Sequence, residues 1–574
     1  MRFRKELDVR KLFFCVIFVA LFMAAILGPR SATAASCSLE FFNSLGLPST
    51  VFTTATPQSS PISHCEVIGK INPRTGVDGK SYAIGFHLRL PDNWNKRFFF
   101  QGGGGTDGSI GDALGNGVVA QGYAVVSTDA GHDNAIDYDP NAGGTAAFGV
   151  DPQARIDYGY NAVDQVTQTA KIIIKKYFGS YPAYAYFVGC SNGGRQGMVA
   201  SQRFPRYFDG IVAGDPGFDL PKAAVAEAWN EQALAPLATK LSTNGQPYLP
   251  DTFSDADLEL AAKAILAACD DLDGLMDGIV DNYAACTNQR VYPQLKAIQC
   301  TGPKNAGCLS AGQVEALKMI YAGPENSRGK QLYSDWQWDP GISGLLSLRL
   351  WSLGIPIPPP VNTALNLTLG GGALPLIFVT PPAITPETGL EAYIFGFNFD
   401  TDAPKIFKTS GIYTESSMDF MTARSTDLSP FKHHGGKLII YNGNSDGVFS
   451  SRDIVRWYNA MNARMHGKAQ SFARLFLVPG MGHCALGPST YAFDAFTPLV
   501  NWVEHGIAPD SIVAMAPPDT PWPGRTRPLC PYPKQTRYIG SGDIENAANF
   551  VCEMPHHQHG RDFDHDYDFW HCDD

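Results

Sequence analysis

Residues 184–197 read Tyr-Ala-Tyr-Phe-Val-Gly-Cys-Ser-Asn-Gly-Gly-Arg-Gln-Gly, and no other stretch limits the possible fold as sharply. A β-prone apolar run stops at Gly189-x-Ser191-x-Gly193 and passes into a helix-compatible sequence. That is the strand, sharp turn and helix context of a hydrolase nucleophile elbow. Glycines on both sides of the serine leave the tight turn the space that Cβ atoms would fill. A helix starting just after Ser191 aims free N–H groups and a positive dipole end at the space above it, which suits a developing oxyanion. Ser191 is therefore the candidate nucleophile.

The flanking sequence extends this pattern. Residues 97–101, Arg-Phe-Phe-Phe-Gln, read as a strand running into Gly102-Gly103-Gly104-Gly105-Thr106-Asp107-Gly108. Bare glycine backbone after that strand can bring an N–H close to an oxyanion. A phosphate-cradling loop does not fit, because no Gly-Lys-Ser/Thr follows. Residues 122–127 form another short apolar strand and 164–176 a crossover helix, and such alternation predicts a parallel sheet. Beyond Ser191 the strand-helix rhythm is lost over residues 218–424, which are rich in proline, glycine and scattered helical stretches. A clean strand returns at 436–441. The reading is an α/β-hydrolase fold whose catalytic domain, residues 35–217 and 425–555, is interrupted by an inserted lid domain, residues 218–424.

The returning strand ends at Asn442-Gly443-Asn444-Ser445-Asp446, where a carboxylate stands on the ligand-binding face of an α/β sheet. A further strand, 473–478, ends in Pro479-Gly480-Met481-Gly482-His483-Cys484. Asp446 is the candidate triad acid and His483 the candidate base. The chain order Ser, Asp, His is the one this fold requires.

The N-terminus predicts the compartment. A basic segment, an apolar run over 12–27 and Ala32-Thr33-Ala34 describe a secretory signal peptide over residues 1–34, so the mature chain of roughly 540 residues is expected to be secreted or periplasmic. A net charge of -11 argues against nucleic acid or an anionic membrane as partner. In an oxidising compartment the twelve cysteines read as disulfides. Local spacing pairs Cys37 with Cys65, Cys269 with Cys286, Cys300 with Cys308, and Cys530 with Cys552. Cys190 and Cys484, beside the candidate nucleophile and base, are paired with each other. Such a bridge sets two Cα atoms about 5.5 Å apart and holds the catalytic loops together. Cys15 goes with the leader and Cys572 is left over.

Two further segments carry acidic chemistry. Residues 269–281, Cys-Asp-Asp-Leu-Asp-Gly-Leu-Met-Asp-Gly-Ile-Val-Asp, space carboxylates three and four apart between glycines, which suits an oxygen-ligated structural Ca²⁺. The glutamate that would end an EF-hand loop is missing. The tail, 556–574, is rich in His, Asp and aromatics and reads as an exposed unstructured end.

With Gly-Cys-Ser-Asn-Gly-Gly-Arg-Gln-Gly and Gly-Met-Gly-His-Cys in place, the chain resembles the tannase and feruloyl esterase family of α/β-hydrolases. Asp151-Pro152-Gln153-Ala154-Arg155, Ser201-Gln202-Arg203-Phe204-Pro205 and Arg525-Thr526-Arg527-Pro528-Leu529-Cys530-Pro531 extend the likeness over nearly the whole mature chain. The resemblance implies Ser191, Asp446 and His483 as triad and the backbone N–H groups of Gly105 and Asn192 as oxyanion donors. It also implies Ca²⁺ on the Asp270, Asp273 and Asp277 carboxylates and the Leu275 and Ile279 carbonyls, with no redox cofactor. Trp351, Phe378 and Phe449 are similar to pocket residues that sandwich a flat ring. Within the family the chain looks particularly similar to bacterial terephthalate monoester hydrolases, whose lid arginine pairs with the substrate carboxylate. That position falls near Leu365 here, and no Lys or Arg occurs between Arg349 and Lys405. The expected activity is hydrolysis of small aromatic esters, hydroxycinnamates or gallates, by a serine esterase. Terephthalate monoester hydrolysis is the enzymatic alternative, and a catalytically silent binding protein the non-enzymatic one.

Overall fold

The computed structural model describes residues 36–140, 142–383 and 389–555. The leader, Cys15, the tail and Cys572 lie outside the described residues. A nine-stranded sheet runs through the molecule: β1 Thr50–Gln58, β2 His64–Thr75, β3 Ser81–Pro91, β4 Arg97–Gln101, β5 Ala124–Thr128, β6 Tyr184–Cys190, β7 Gly210–Gly214, β8 Lys437–Gly443 and β9 Ala473–Val478. Their order is β1-β2-β3-β5-β4-β6-β7-β8-β9. The pairings from β5 through β9 are parallel, and β1, β2, β3 and β5 join antiparallel. This is the α/β-hydrolase fold.

The central strands read as continuous apolar runs because both sheet faces are covered. Phe98 and Phe100 of β4 face one core, together with Val166, Ile173 and Ile174 of the Ala162–Phe178 helix. Phe99, between them, faces the other core with Leu499 and Trp502 of the Phe496–His505 helix. Burying each such ring stabilises its layer by about 1.5–3 kcal/mol.

Two parts of the sheet have little sequence signal. The antiparallel strands β1–β3 precede the strand-helix rhythm. The rhythm also continues beyond Ser191, in β7, whose five residues Gly-Ile-Val-Ala-Gly are too short for a periodicity to register. β7 and β8 are hydrogen-bonded neighbours, with Gly210 opposite Lys437, so residues 215–436 form one excursion between adjacent strands. That excursion holds the Leu220–Leu234, Asp255–Cys269, Asn288–Ala297 and Ala311–Ala322 helices. All five disulfides form: Cys37–Cys65, Cys190–Cys484, Cys269–Cys286, Cys300–Cys308 and Cys530–Cys552. No helix among the described residues is long and apolar enough to cross a membrane.

Candidate active site

Ser191 stands between β6 and the Asn192–Arg203 helix with φ 63° and ψ -126°, a backbone conformation that non-glycine residues rarely adopt. The surroundings hold it there. Its N–H donates to the Gly214 carbonyl at 3.0 Å, and its own carbonyl accepts from Arg195 N–H at 2.9 Å. A Cβ on Gly189 would lie 2.5 Å from the Gly193 carbonyl carbon, and one on Gly193 would lie 2.5 Å from the Gly103 carbonyl oxygen. The elbow and the glycine-rich loop after β4 therefore meet backbone to backbone.

The same loop is tied to the helix start by side chains. Asp107 accepts from the Asn192 side-chain amide and, at 2.7 Å, from Gln196 Nε2. Arg195 Nε donates to Asn192 Oδ1 at 2.7 Å. Burial raises the Asp107 carboxyl to about 6, against the hydrogen bonds and the Arg195 charge that favour its ionised form. Gly105 has φ 55°, and its carbonyl accepts from the Tyr158 hydroxyl at 2.9 Å. Its N–H donates to no group among the described residues. Asn192, first in its helix, has an N–H with no intrahelical acceptor.

Asp446 and His483 sit in the loops after β8 and β9. His483 Nδ1 lies 2.8 Å from Asp446 Oδ2, while Asp446 Oδ1 accepts from Val448 N–H at 2.8 Å and Phe449 N–H at 3.0 Å. His483 Nε2 is buried with no hydrogen-bond partner. Trp351 and Phe449 present their rings edge-on to the imidazole, at centroid distances of 4.9 and 5.3 Å. The excursion grips both loops: Asp339 accepts from Ser445 Oγ at 2.6 Å and from Gly480 N–H at 3.1 Å, and His483 N–H donates to the Leu346 carbonyl at 2.8 Å. The Cys190–Cys484 bridge, with Cα atoms 6.1 Å apart, joins the serine turn to the histidine loop.

Two residues here went unnoticed in the sequence. Asp215, fully buried just after β7, has a carboxylate oxygen within 4.8 Å of those of Asp446 and of a His483 ring nitrogen. Burial first, then the Asp446 charge, holds the Asp215 carboxyl well above the usual carboxylate range, and it hydrogen-bonds to Asp446. Its Oδ1 accepts from Gly443 N–H at 2.8 Å. Its place at the carboxyl end of a strand was the available signal. The second is Glu227, in the Leu220–Leu234 helix.

Ser191, Gly105 and Asn192 open into one pocket, which also takes in Trp351, Phe378 and Phe449. Among the described residues its ionisable lining is Tyr158 and Glu227, with no Lys, Arg or His. Leu365 is not in the lining. The buried lid cation Arg349 faces away, donating to the Phe253 carbonyl at 2.7 Å and pairing with Asp255.

The acidic loop lies apart from this pocket. Gly274 and Gly278 turn it with φ 92° and 86°. Asp270 accepts from Gly278 N–H and Asp273 from Leu275 and Asp281 N–H. Asp277 pairs with Arg527 and lies 3.7 Å from Arg525. Burial and then neighbouring carboxylates raise Asp270 and Asp273, the latter to about 7. The donors are all oxygen, which fits a hard cation, and Arg525 and Arg527 already offset part of the loop's negative charge. The carboxylates are not gathered about one point within 4.8 Å, and Asp277 has guanidinium partners already.

A family model described as tannase and feruloyl esterase matches residues 65–553. The chain belongs to the tannase and feruloyl esterase family. It is 49% identical over 534 residues to mono(2-hydroxyethyl) terephthalate hydrolase from Piscinibacter sakaiensis, covering 88% of this chain and 87% of that protein. It is 30% identical over 500 residues to a probable feruloyl esterase from Arthroderma benhamiae, covering 83% of each. Feruloyl esterase B from Aspergillus oryzae superposes with a TM-score of 0.69 at 22% identity, over 90% of this chain and 99% of that one, a likeness of fold. With the family comes the general activity, hydrolysis of carboxylic esters of aromatic compounds.

Proposed function

We propose that this member of the tannase and feruloyl esterase family is an exported serine esterase that cleaves phenolic esters, hydroxycinnamates or gallates, through an acyl-enzyme. The observation that carries the reading is the pocket: Ser191 and the Gly105 and Asn192 backbone share it with four aromatic rings, Tyr158, Trp351, Phe378 and Phe449, and with no basic side chain among the described residues. Flat apolar walls favour an aromatic ring.

In this mechanism Ser191 Oγ attacks the ester carbonyl and its proton passes to His483 Nε2, which makes no hydrogen bond among the described residues and is free to accept it. Asp446, fixed by the Val448 and Phe449 amides, holds the imidazole tautomer and supports its charge. The Gly105 and Asn192 N–H groups stabilise the tetrahedral oxyanion. The alcohol departs with the proton from His483, and water then attacks the acyl-enzyme by the same route. The leader sequence and five formed disulfides support export. At the acidic loop, Asp270, Asp273 and Asp277 with the Leu275 and Ile279 carbonyls would hold a structural Ca²⁺.

Identity of 49% to a terephthalate monoester hydrolase favours a second reading, that activity itself. Against it, a substrate carboxylate would enter a pocket that offers no cation, at a large desolvation cost. The deciding experiment compares methyl ferulate, methyl gallate and mono(2-hydroxyethyl) terephthalate, with fluorophosphonate labelling of wild type and Ser191→Ala. Neutral phenolic esters should turn over fastest and labelling should vanish in the variant. Preference for the terephthalate monoester would reverse the ranking, and an unlabelled, inactive wild type would reject the enzyme.

A further inference from the structure

Glu227 makes no hydrogen bond or ion pair among the described residues, although it is 6% exposed and lines the same pocket as Ser191. It shares a helix face with Leu220, seven residues earlier, and both reach the pocket. Opposite them, a Cβ at Gly370 would stand 1.8 Å from Glu227 Oε2, so the bare glycine backbone leaves the carboxyl its room. The neighbouring polar groups are otherwise engaged. Tyr158 donates to the Gly105 carbonyl, and Glu231, one turn along the helix, accepts from Asn366 Nδ2 at 2.9 Å.

Given the esterase reading above, on which this rests, we propose that Glu227 is the residue that reads the aromatic ring. Its carboxyl hydrogen-bonds a ring hydroxyl and so selects phenolic esters over unsubstituted or carboxylated ones. The carboxyl has no protein partner and opens on the pocket, and a partner that arrives with the ligand accounts for keeping one in a largely apolar wall. Burial pushes the Glu227 carboxyl up to about 8, so at neutral pH it is an uncharged acid. In that form it both donates to and accepts from a hydroxyl. The same group offers a substrate carboxylate no counter-charge. A site built to bond a hydroxyl also rejects the analogue that lacks one, since its own polar atoms are then left unpaired.

The experiment measures kcat/KM at pH 7 for methyl cinnamate, methyl 3-hydroxycinnamate and methyl 4-hydroxycinnamate, in wild type, Glu227→Gln and Glu227→Leu. The readout is the ratio of the better hydroxylated ester to the unsubstituted one, so a general loss of activity cancels. The wild type should favour a hydroxylated ester by about tenfold or more. Glu227→Leu should bring the ratio close to one, and Glu227→Gln, nearly isosteric and still a donor and acceptor, should retain part of it. A wild-type ratio near one, or a ratio unchanged in both variants, would overturn the role of Glu227 and leave the esterase reading in place. A wild type that hydrolyses none of the three would remove the esterase reading and this one with it. Should Glu227→Leu fail to give a native circular dichroism spectrum, an undiminished ratio in Glu227→Gln together with a wild-type ratio near one still rejects the proposal.

Discussion

Removing the Cys190–Cys484 bridge tests whether the triad depends on a covalent tie. The bridge closes a sequence separation of 294 residues, whereas Cys300–Cys308 closes 8. Loop-closure entropy alone assigns the first about 5–6 kcal/mol and the second about 2–3 kcal/mol at 25 °C. The measured difference will be smaller, because the unfolded chain retains structure and the other bridges already constrain it. Geometry separates the two bridges more sharply. Cys190 adjoins Ser191 and Cys484 adjoins His483, and the Cys190 sulfur lies 3.7 Å from Asp215 Oδ2. Loosening the serine against the base by about 1 Å costs roughly a hundredfold in rate. The Cys190→Ala/Cys484→Ala variant should therefore lose stability in guanidinium titration and also lose about 10- to 100-fold in kcat, with KM little changed. The Cys300→Ala/Cys308→Ala variant should lose stability alone. Both are assayed at a temperature where circular dichroism shows each folded. If the Cys190/Cys484 variant keeps full kcat there, the aligning role is wrong and the bridge serves stability only.

Three other outcomes follow from the buried acids. Asp215→Asn should keep kcat within a few-fold, since an amide can still donate to Asp446 and accept from Gly443, whereas Asp215→Ala, which removes both bonds, should cost at least the roughly 5- to 150-fold that one buried hydrogen bond is worth; a collapse in Asp215→Asn would mean that Asp215 works ionised. Glu227 is raised from 4.5 to about 8, so the folded state binds more protons than the unfolded one across that window. Its contribution is full below pH 4.5 and is lost as pH rises towards 8, and Glu227→Gln should flatten the fall in urea stability between pH 5 and 8 by up to about 1.4 kcal/mol per pH unit; parallel slopes in the two proteins would show the carboxyl ionised throughout. Removing Ca²⁺ with a chelator should lower Tm, and adding it back at a hundredfold over Kd should restore about 3 kcal/mol; an unchanged Tm would mean that Arg525 and Arg527 alone balance the loop.

Much of the sheet was legible because its central strands are buried on both faces and so appear as short apolar runs. Residues 97–101 and 473–478 match β4 and β9 as they fold. Strands β1–β3 were not, since β1 and β2 carry Thr, Lys and Arg on exposed positions and antiparallel pairing leaves no crossover helix as a clue. β7 was hidden for the opposite reason. Its two bounding glycines look like loop residues, yet Gly210 and Gly214 are strand residues because Leu499 and the Tyr441 ring leave no room for a Cβ.

At the site, the residues that announced themselves are the ones whose chemistry needs a fixed local backbone. Ser191 requires glycines on both sides of a strained turn, and His483 and Asp446 each follow a strand in the order the fold imposes. Asp215 and Glu227 need no local motif, because tertiary packing decides what they do. Asp215 comes against Asp446 only when β7 and β8 lie side by side. Glu227 stands in a helix whose sequence, Leu-Pro-Lys-Ala-Ala-Val-Ala-Glu-Ala-Trp-Asn-Glu-Gln-Ala-Leu, places an acid where a solvent-facing residue would be expected. The segment carrying Gly370, more than a hundred residues later, packs against that acid and makes an ordinary helix glutamate the one carboxyl among the described residues that line the pocket.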